Sequence, residues 1–242
     1  MASFRLVFLL FLCCCFTAVF ADVITSYCNE NSTIKSPQMS ANIDNLLAGL
    51  ATNTAQNGFA IASYGSGSDA VYGLGQCRQD VSRSDCSTCI NDAASSIKTQ
   101  CGFDPVINST DQRRWYDNCF LRYLDQNFFG KVDTSVVSNL YNSDHPQSPS
   151  LFKKQVTSLI SNLTSQAVVP GNKGFAKGTL GVSSSVTLYG LVQCTQDLSL
   201  SSCTSCLKTG VANLSNLCNN LKSVGCRLQY SSCILRYEIA PF

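Results

Sequence analysis

Residues 72–101, YGLGQCRQDVSRSDCSTCINDAASSIKTQC, recur 117 positions later as residues 189–218, YGLVQCTQDLSLSSCTSCLKTGVANLSNLC. Cys77, Cys86, Cys89 and Cys101 stand nine, three and twelve residues apart, and Cys194, Cys203, Cys206 and Cys218 keep the same steps. Tyr72-Gly73-Leu74 and Gln76 precede the first frame, as Tyr189-Gly190-Leu191 and Gln193 precede the second. Each copy closes on a cysteine followed one residue later by Leu-Arg-Tyr, at Cys119 and Cys233. A frame repeated at this many intervals reads as two related domains.

Upstream of the repeat, Met1 to Ala21 has the pattern of a secretory signal. Arg5 supplies the positive start, Leu6 to Val19 the apolar run, and Val19-Phe20-Ala21 the cleavage site. The run is short for a hydrocarbon core of about 30 Å, so cleavage before Asp22 is expected. Of the fifteen cysteines, twelve then remain, six in each half. An even count in small secreted domains reads as a disulfide framework. No later segment is long and apolar enough to span a bilayer, and Ile239-Ala240-Pro241-Phe242 is too short for a lipid-anchor tail. The expected product is secreted and extracellular, with no membrane span. Asn31, Asn108, Asn162 and Asn213 each begin an Asn-x-Ser/Thr sequon, the last of them inside a predicted helix. Loss of Arg5 leaves sixteen Lys and Arg against fifteen Asp and Glu. That balance gives no electrostatic reason for nucleic acid or an anionic membrane as partner.

Helical patterning falls at matching places in the two halves. Ile43, Leu46, Leu47 and Leu50 form an apolar stripe behind Ser40 as an available cap, and Phe152, Val156, Leu159, Ile160 and Leu163 form its counterpart. The cysteine motif makes a second helix, with Cys86, Cys89, Ile90, Ala93, Ala94 and Ile97 on one face. Cys203, Cys206, Leu207, Val211 and Leu214 repeat that face, and Ser82 with Asp85 resembles a capping box. Strand-like sequence runs from Phe59 to Tyr64 and Ala70 to Cys77 around Gly65-Ser66-Gly67-Ser68. Gly174 to Val182 and Val186 to Cys194 correspond, and Arg114 to Tyr123 and Arg227 to Glu238 add further β-rich sequence. The expected fold is α+β: two tandem domains, each two helices on an antiparallel sheet and stapled by disulfides. The domains are read as residues 22–131 and 151–242, joined by a connector over 132–150 that carries Pro146 and Pro149.

Catalytic patterns are weak. The one histidine, His145, lies in the connector, away from any core cleft that a nucleophile–histidine pair would need. Zinc held by Cys86-x-x-Cys89 or Cys203-x-x-Cys206 competes with disulfides, which an oxidising compartment favours. Asp117, Asp125 and Asp133 are scattered singly, without the pairing of a glycosidase. A non-enzymatic protein without cofactor or metal is expected.

The repeated Cys-x8-Cys-x2-Cys frame, the preceding Tyr-Gly-Leu-x-Gln-Cys, and the closing Trp115-Tyr116-Asp117-x-Cys119-x-Leu-Arg-Tyr resemble the ginkbilobin-type, or stress-antifungal, domain of plants. Two such domains behind a signal are similar to the plant cysteine-rich repeat secretory proteins, which act in the apoplast. The resemblance covers almost the whole mature chain. It implies Cys28–Cys101, Cys77–Cys86 and Cys89–Cys119 in the first half, a choice among fifteen pairings that spacing leaves open. In the second half it implies Cys194–Cys203 and Cys206–Cys233. No cysteine precedes the first helix there, and the extra Cys226 is left for Cys218.

The resemblance also implies a mannose site made of an Asn after the first cysteine, an Arg six before the last and a Glu five after it. An amide, a guanidinium and a carboxylate offer sugar hydroxyls complementary donors and acceptors. Asn29 and Arg113 match in the first half, but Leu124 takes the place of the acid. Arg227 and Glu238 match in the second, where the Cys-Asn pair is missing. Two readings of function result: a plant defence or stress protein that recognises mannose glycans of the cell wall or of fungi, and a module that binds a receptor ectodomain or a pathogen protein without sugar specificity.

Overall fold

The computed structural model describes residues 23–101, 104–105, 108–135 and 137–242. The signal-like segment Met1 to Ala21 lies outside them. The first half runs β1 (Val23–Cys28), α1 (Pro37–Asn57), β2 (Phe59–Tyr64), β3 (Val71–Cys77), α2 (Arg83–Ser96), the short pair β4 (Gln100–Cys101) and β5 (Asp104–Pro105), β6 (Gln112–Tyr116) and β7 (Cys119–Leu124). The second runs β8 (Val137–Tyr141), α3 (Pro149–Ala167), β9 (Phe175–Gly181), β10 (Thr187–Cys194), α4 (Leu200–Leu217), β11 (Cys226–Tyr230) and β12 (Cys233–Glu238). Each half builds a five-stranded antiparallel sheet, in the orders β1-β6-β7-β3-β2 and β8-β11-β12-β10-β9. The two orders are the same topology written twice.

Each helix pair covers one sheet face. In α1 the expected stripe is buried and extended by Met39, Ala51 and Thr54, and in α3 it is extended by Thr164 and Ala167. The helix α1 begins one turn before Ser40. Ser36 is its cap, accepting from the Met39 amide at 2.9 Å, and Pro37 occupies the first turn, where a missing N–H costs nothing. Ser82 caps α2 by accepting from the Asp85 amide at 3.1 Å, and its hydroxyl bonds the Asp85 carboxylate at 2.8 Å. The repeated Tyr-Gly-Leu has a packing cause: a Cβ on Gly73 would stand 2.6 Å from Leu50, and one on Gly190 would stand 2.8 Å from Leu163. A methyl there would force the packed leucines of the first helix to shift.

Among the described residues there are six disulfides: Cys77–Cys86, Cys89–Cys119, Cys194–Cys203 and Cys206–Cys233 tie helices to strands, Cys28–Cys101 ties β1 to β4, and Cys218–Cys226 ties the end of α4 to β11. The cysteines of each Cys-x-x-Cys thus bond to two different strands and not to one another. By loop entropy the short bridges stabilise by about 2.5–3 kcal/mol each, and the long Cys28–Cys101 bridge by about 4 kcal/mol.

The strands β1 and β8 differ from the sequence expectation. Residues 23–28 are rich in strand-forming Val, Ile, Thr and Tyr but do not alternate, and the sequence reading does not mark them as a strand; the segment read as connector supplies β8. Both are outer strands of mixed polarity, so no alternation marks them; register alone seats them. Cys28 faces Gln112, whereas Tyr141 faces Cys226. Cys226 therefore stands where the first half has Gln112, directly across from the strand that lost its cysteine. The bridge has moved by one strand while its anchor, Cys218, stayed in place.

Candidate functional site

Two cross-strand pairs of arginines dominate the polar chemistry. Arg113 on β6 faces Arg122 on β7, and Arg227 on β11 faces Arg236 on β12. Like charges set directly opposite on a sheet repel, so each pair needs an acid, and each acid comes from outside its own sheet. Asp133, from the segment leaving the first half, meets Arg113 at 3.0 Å and Arg122 at 2.8 Å. Asp117, in the β6–β7 turn of the first half, meets Arg227 and Arg236 of the second, the latter at 2.9 Å.

These contacts belong to a seam between the halves with approximate two-fold character. Arg113 Nη1 donates to Ser231 Oγ in the β11–β12 turn at 2.6 Å, as Arg227 donates to Asp117 in the corresponding turn. Gln76 Nε2 donates to the Cys194 carbonyl at 2.8 Å, and Gln193 Nε2 returns the bond to the Cys77 carbonyl at 3.0 Å. Gln76 Oε1 accepts from the Gln196 amide at 2.8 Å, and Gln193 Oε1 accepts from the Gln79 amide at 3.2 Å. Asp133 N donates to Ser232 Oγ, Gly130 N to Asp197, and Lys177 to Asp80. Trp115, stacked on Phe120 with ring centroids 5.1 Å apart, packs on the same seam. The Gln-Cys of the repeated motif thus joins the halves, a role that nothing within one copy reveals.

The positions of the sugar-type triad fare differently in the two copies. In the first, Asn29 is held in a turn, its Oδ1 accepting from the Asn31 amide at 3.1 Å. Arg113 is 5% exposed and heavily engaged: Asp111 Oδ1 lies 3.1 Å from its Nε and Asp111 Oδ2 3.1 Å from its Nη2, and Asp133, Ser231 and the Tyr27 ring complete its surroundings. Leu124 offers no charge. The Arg113 of the sequence reading is a buried seam residue.

In the second copy the backbone supplies what the cysteine pattern hid. Asn29 N donates to the Asp111 carbonyl at 3.0 Å, and Asn142 N donates to the Gly225 carbonyl at 2.9 Å, one residue past the same register point. Asn142 therefore occupies the place of Asn29 without a preceding cysteine. Glu238 lies over Gly225, where a Cβ would come 1.7 Å from its carboxylate, and its Oε1 is 3.5 Å from Arg236 Nε. An amide, a guanidinium and a carboxylate gather at this end of the second sheet. Aligning the strand before each first helix, instead of the cysteines, is the signal that would have found Asn142.

Burial and charge set the protonation of this region. Burial pushes Asp117 up, but Arg227, Arg236 and Arg78 together hold it below the usual carboxylate range. Burial likewise raises Asp133, while Ser135, Arg113 and Arg122 bring it below that range. Asp80 is lowered because Lys177 and Arg78 outweigh its burial. Burial, helped by the neighbouring Arg113, lowers Arg122 to about 10. Glu238 is raised, because its burial outweighs the attraction of Arg236 and Arg227.

Of the sequons, Asn31, Asn108 and Asn162 are exposed. Asn213 is half-buried and donates through Nδ2 to the Tyr230 hydroxyl at 3.1 Å. At the matching place in the first half the Ser96 and Tyr116 hydroxyls are hydrogen-bonded at 3.0 Å.

A family model described as salt stress response/antifungal matches residues 27–126 and 138–240. Cysteine-rich repeat secretory protein 55 of Arabidopsis thaliana is 45% identical over 92% of this chain and 84% of its own length. The antimicrobial ginkbilobin-2-like protein of Castanea crenata is 36% identical over 92% of this chain and 89% of its own. Among solved structures, the tandem DUF26 ectodomain of the Arabidopsis thaliana cysteine-rich receptor-like protein PDLP8 is similar at a TM-score of 0.78. It is 30% identical, with 90% of this chain and 98% of that one covered.

Proposed function

The chain belongs to the salt stress response/antifungal family, and from that premise we propose that it is a non-catalytic extracellular binding protein of defence and stress type, whose two halves engage a protein partner as one body. It is a secreted protein, and among the described residues no helix is long and apolar enough to cross a membrane. The observation that carries the reading is the seam. Arg113, the guanidinium that a first-half sugar site would use, is buried and held by Asp111, Asp133 and Ser231. Four of its five N–H donors are taken and the side chain is buried, which leaves it poorly placed to meet a hydroxyl. What the seam makes instead is a fixed composite surface, and the likeness to a receptor-like protein's ectodomain supports a receptor ectodomain as the partner. Titration of the isotope-labelled, oxidised protein with mannose and mannan is expected to leave the amide signals of Asn29 and Arg113 unmoved. Immobilised tandem ectodomains are expected to retain it. Mannose-dependent shifts at Arg113 with no retention would refute the reading.

One observation favours a second reading, recognition of mannose-type glycans of the cell wall or of fungi by the second half. Asn142, Arg227 and Glu238 gather there, with Arg227 tethered to Asp117. In that case mannan shifts the signals of Asn142 and Glu238 alone, and Glu238→Gln weakens the effect. A charge-assisted hydrogen bond of this kind contributes about 1.5–3 kcal/mol.

A further inference from the structure

Beside Cys77–Cys86 and beside Cys194–Cys203 opens a cleft of about 280 Å³, and the two adjoin on the seam, where Lys173 and Gln196 line both. The clefts are counterparts under the approximate two-fold relation. Their linings have diverged in charge. Where the first has Arg78 and Arg83, the second has Thr195 and Leu200. Lys173 reaches the first cleft from the other half of the chain.

The cations of the first cleft are unequal. Arg78 is neutralised by Asp80 at 2.5 Å and Asp117 at 3.4 Å. Arg83 and Lys173 are exposed and, among the described residues, make no side-chain hydrogen bond or ion pair. Asp85, the acid nearest in sequence to Arg83, is bonded to Ser82 and does not line the cleft. Lys173 holds a φ of 50°, a left-handed conformation that L-residues seldom adopt, while its carbonyl accepts from Gln79 Nε2 at 2.9 Å. The fold thus keeps two uncompensated positive charges, one from each half, on a single concave surface. Amides surround them: Asn57, Gln79 and Gln196 also line the cleft.

We propose that this cleft binds an acidic glycan, with Arg83 and Lys173 holding the carboxylate of a uronic acid residue and the amides meeting its ring hydroxyls. Side-chain amides both donate and accept, which suits hydroxyls. Guanidinium and ammonium groups suit the carboxylate, through a charge-assisted hydrogen bond shorter and stronger than a neutral one. The volume, about 280 Å³, lies just below the usual range of ligand sites, roughly 300–1,000 Å³, so it seats one sugar ring while the rest of the chain follows the seam. The adjoining cleft shares Lys173 and Gln196 but has Leu200 where this one has Arg83, so Arg83 is the cation that sets the two apart. The site is independent of the mannose-type positions and of the protein partner.

The test is calorimetric titration of the oxidised full chain with an unesterified galacturonate oligomer at low and high salt. A fully methyl-esterified oligomer and poly-glutamate serve as comparisons. Arg83→Leu and Lys173→Asn, which install the residues found at the counterpart positions, are tested singly and together. Both sites are exposed, and unchanged melting temperatures report that the variants fold. The unesterified oligomer is expected to bind, more weakly as salt screens the charges, and each single variant to weaken binding by at least about tenfold. Equal binding of the methyl ester, undiminished binding by the double variant, or no binding at low salt would overturn the proposal. Binding of poly-glutamate alone would also overturn it and assign the cleft to an acidic peptide.

Discussion

Replacing Arg113 by alanine separates a seam residue from a sugar contact more sharply than any other single change. Its guanidinium has two bonds to Asp111, one to Asp133 and one to Ser231, and is 5% exposed. Removing it leaves two acids, 12% and 18% exposed at their side chains, without their main counter-charge. Breaking a buried pair from one side costs about 3–5 kcal/mol. Arg122 still holds Asp133 at 2.8 Å, which places the expected loss at the lower end, about 3 kcal/mol. In a chain of this size each kcal/mol moves the melting temperature by about 2–4 °C, so a fall of about 10 °C is expected. The assay is thermal unfolding of the oxidised protein followed by circular dichroism, with mannan binding measured alongside. A melting temperature within about 2 °C of the wild type, together with lost mannan binding, would mean that Arg113 faces a ligand and would refute the argument. The counterpart change, Arg227→Ala, is expected to cost only about 1 kcal/mol, because its partner Asp117 is 45% exposed.

Other consequences are as direct. Gln76→Ala and Gln193→Ala each strand a carbonyl and an amide on the far side of the seam. Each is expected to cost about 1–3 kcal/mol and to make residues 132–135 more susceptible to limited proteolysis; unchanged cleavage would count against the seam. Asp80, Asp117 and Asp133 have folded pKa values below the ordinary 3.8. Their contribution is therefore complete above pH 3.8 and lost as the pH falls through the lowered values. Melting temperature should hold from pH 7 to about 5 and drop below about 4, less steeply in Asp117→Asn; an equally steep drop in that variant would remove Asp117 from the account. Because Asn213 is committed to Tyr230, Asn213→Gln is expected to leave the glycoprotein mass unchanged, whereas losing exposed Asn31, Asn108 or Asn162 should lower it by one glycan. A glycan found on Asn213 would show that this bond does not protect it.

Particular residues show what was legible in the chain. The stripes Ile43 to Leu50 and Phe152 to Leu163 are buried in the helices that their spacing marks, because helical period and core face are local properties. Gly73 and Gly190 stood out by repetition, and close helix approach explains them. The edge strands β1 and β8 escaped notice, since Val23–Cys28 and Val137–Tyr141 alternate poorly and owe their place to pairing with β6 and β11. Asn142 escaped because the alignment of the halves was anchored on cysteines, and the second half had moved one. Arg113 stands out in the sequence as a candidate sugar contact, while its pairing with Asp111, Asp133 and Ser231 is visible only in the fold.

The chain by itself determined that there are two copies of one α+β unit, which helix faces turn inward, and that its cysteines belong to a disulfide framework. These follow from periodicity and repetition, which act over a few residues or a fixed interval. How the copies sit against each other was decided only by the tertiary structure. Gln76 and Gln193, or Asp117 and Arg227, find each other across more than a hundred residues. Such pairing depends on the relative orientation of two finished surfaces, a quantity that no local pattern carries.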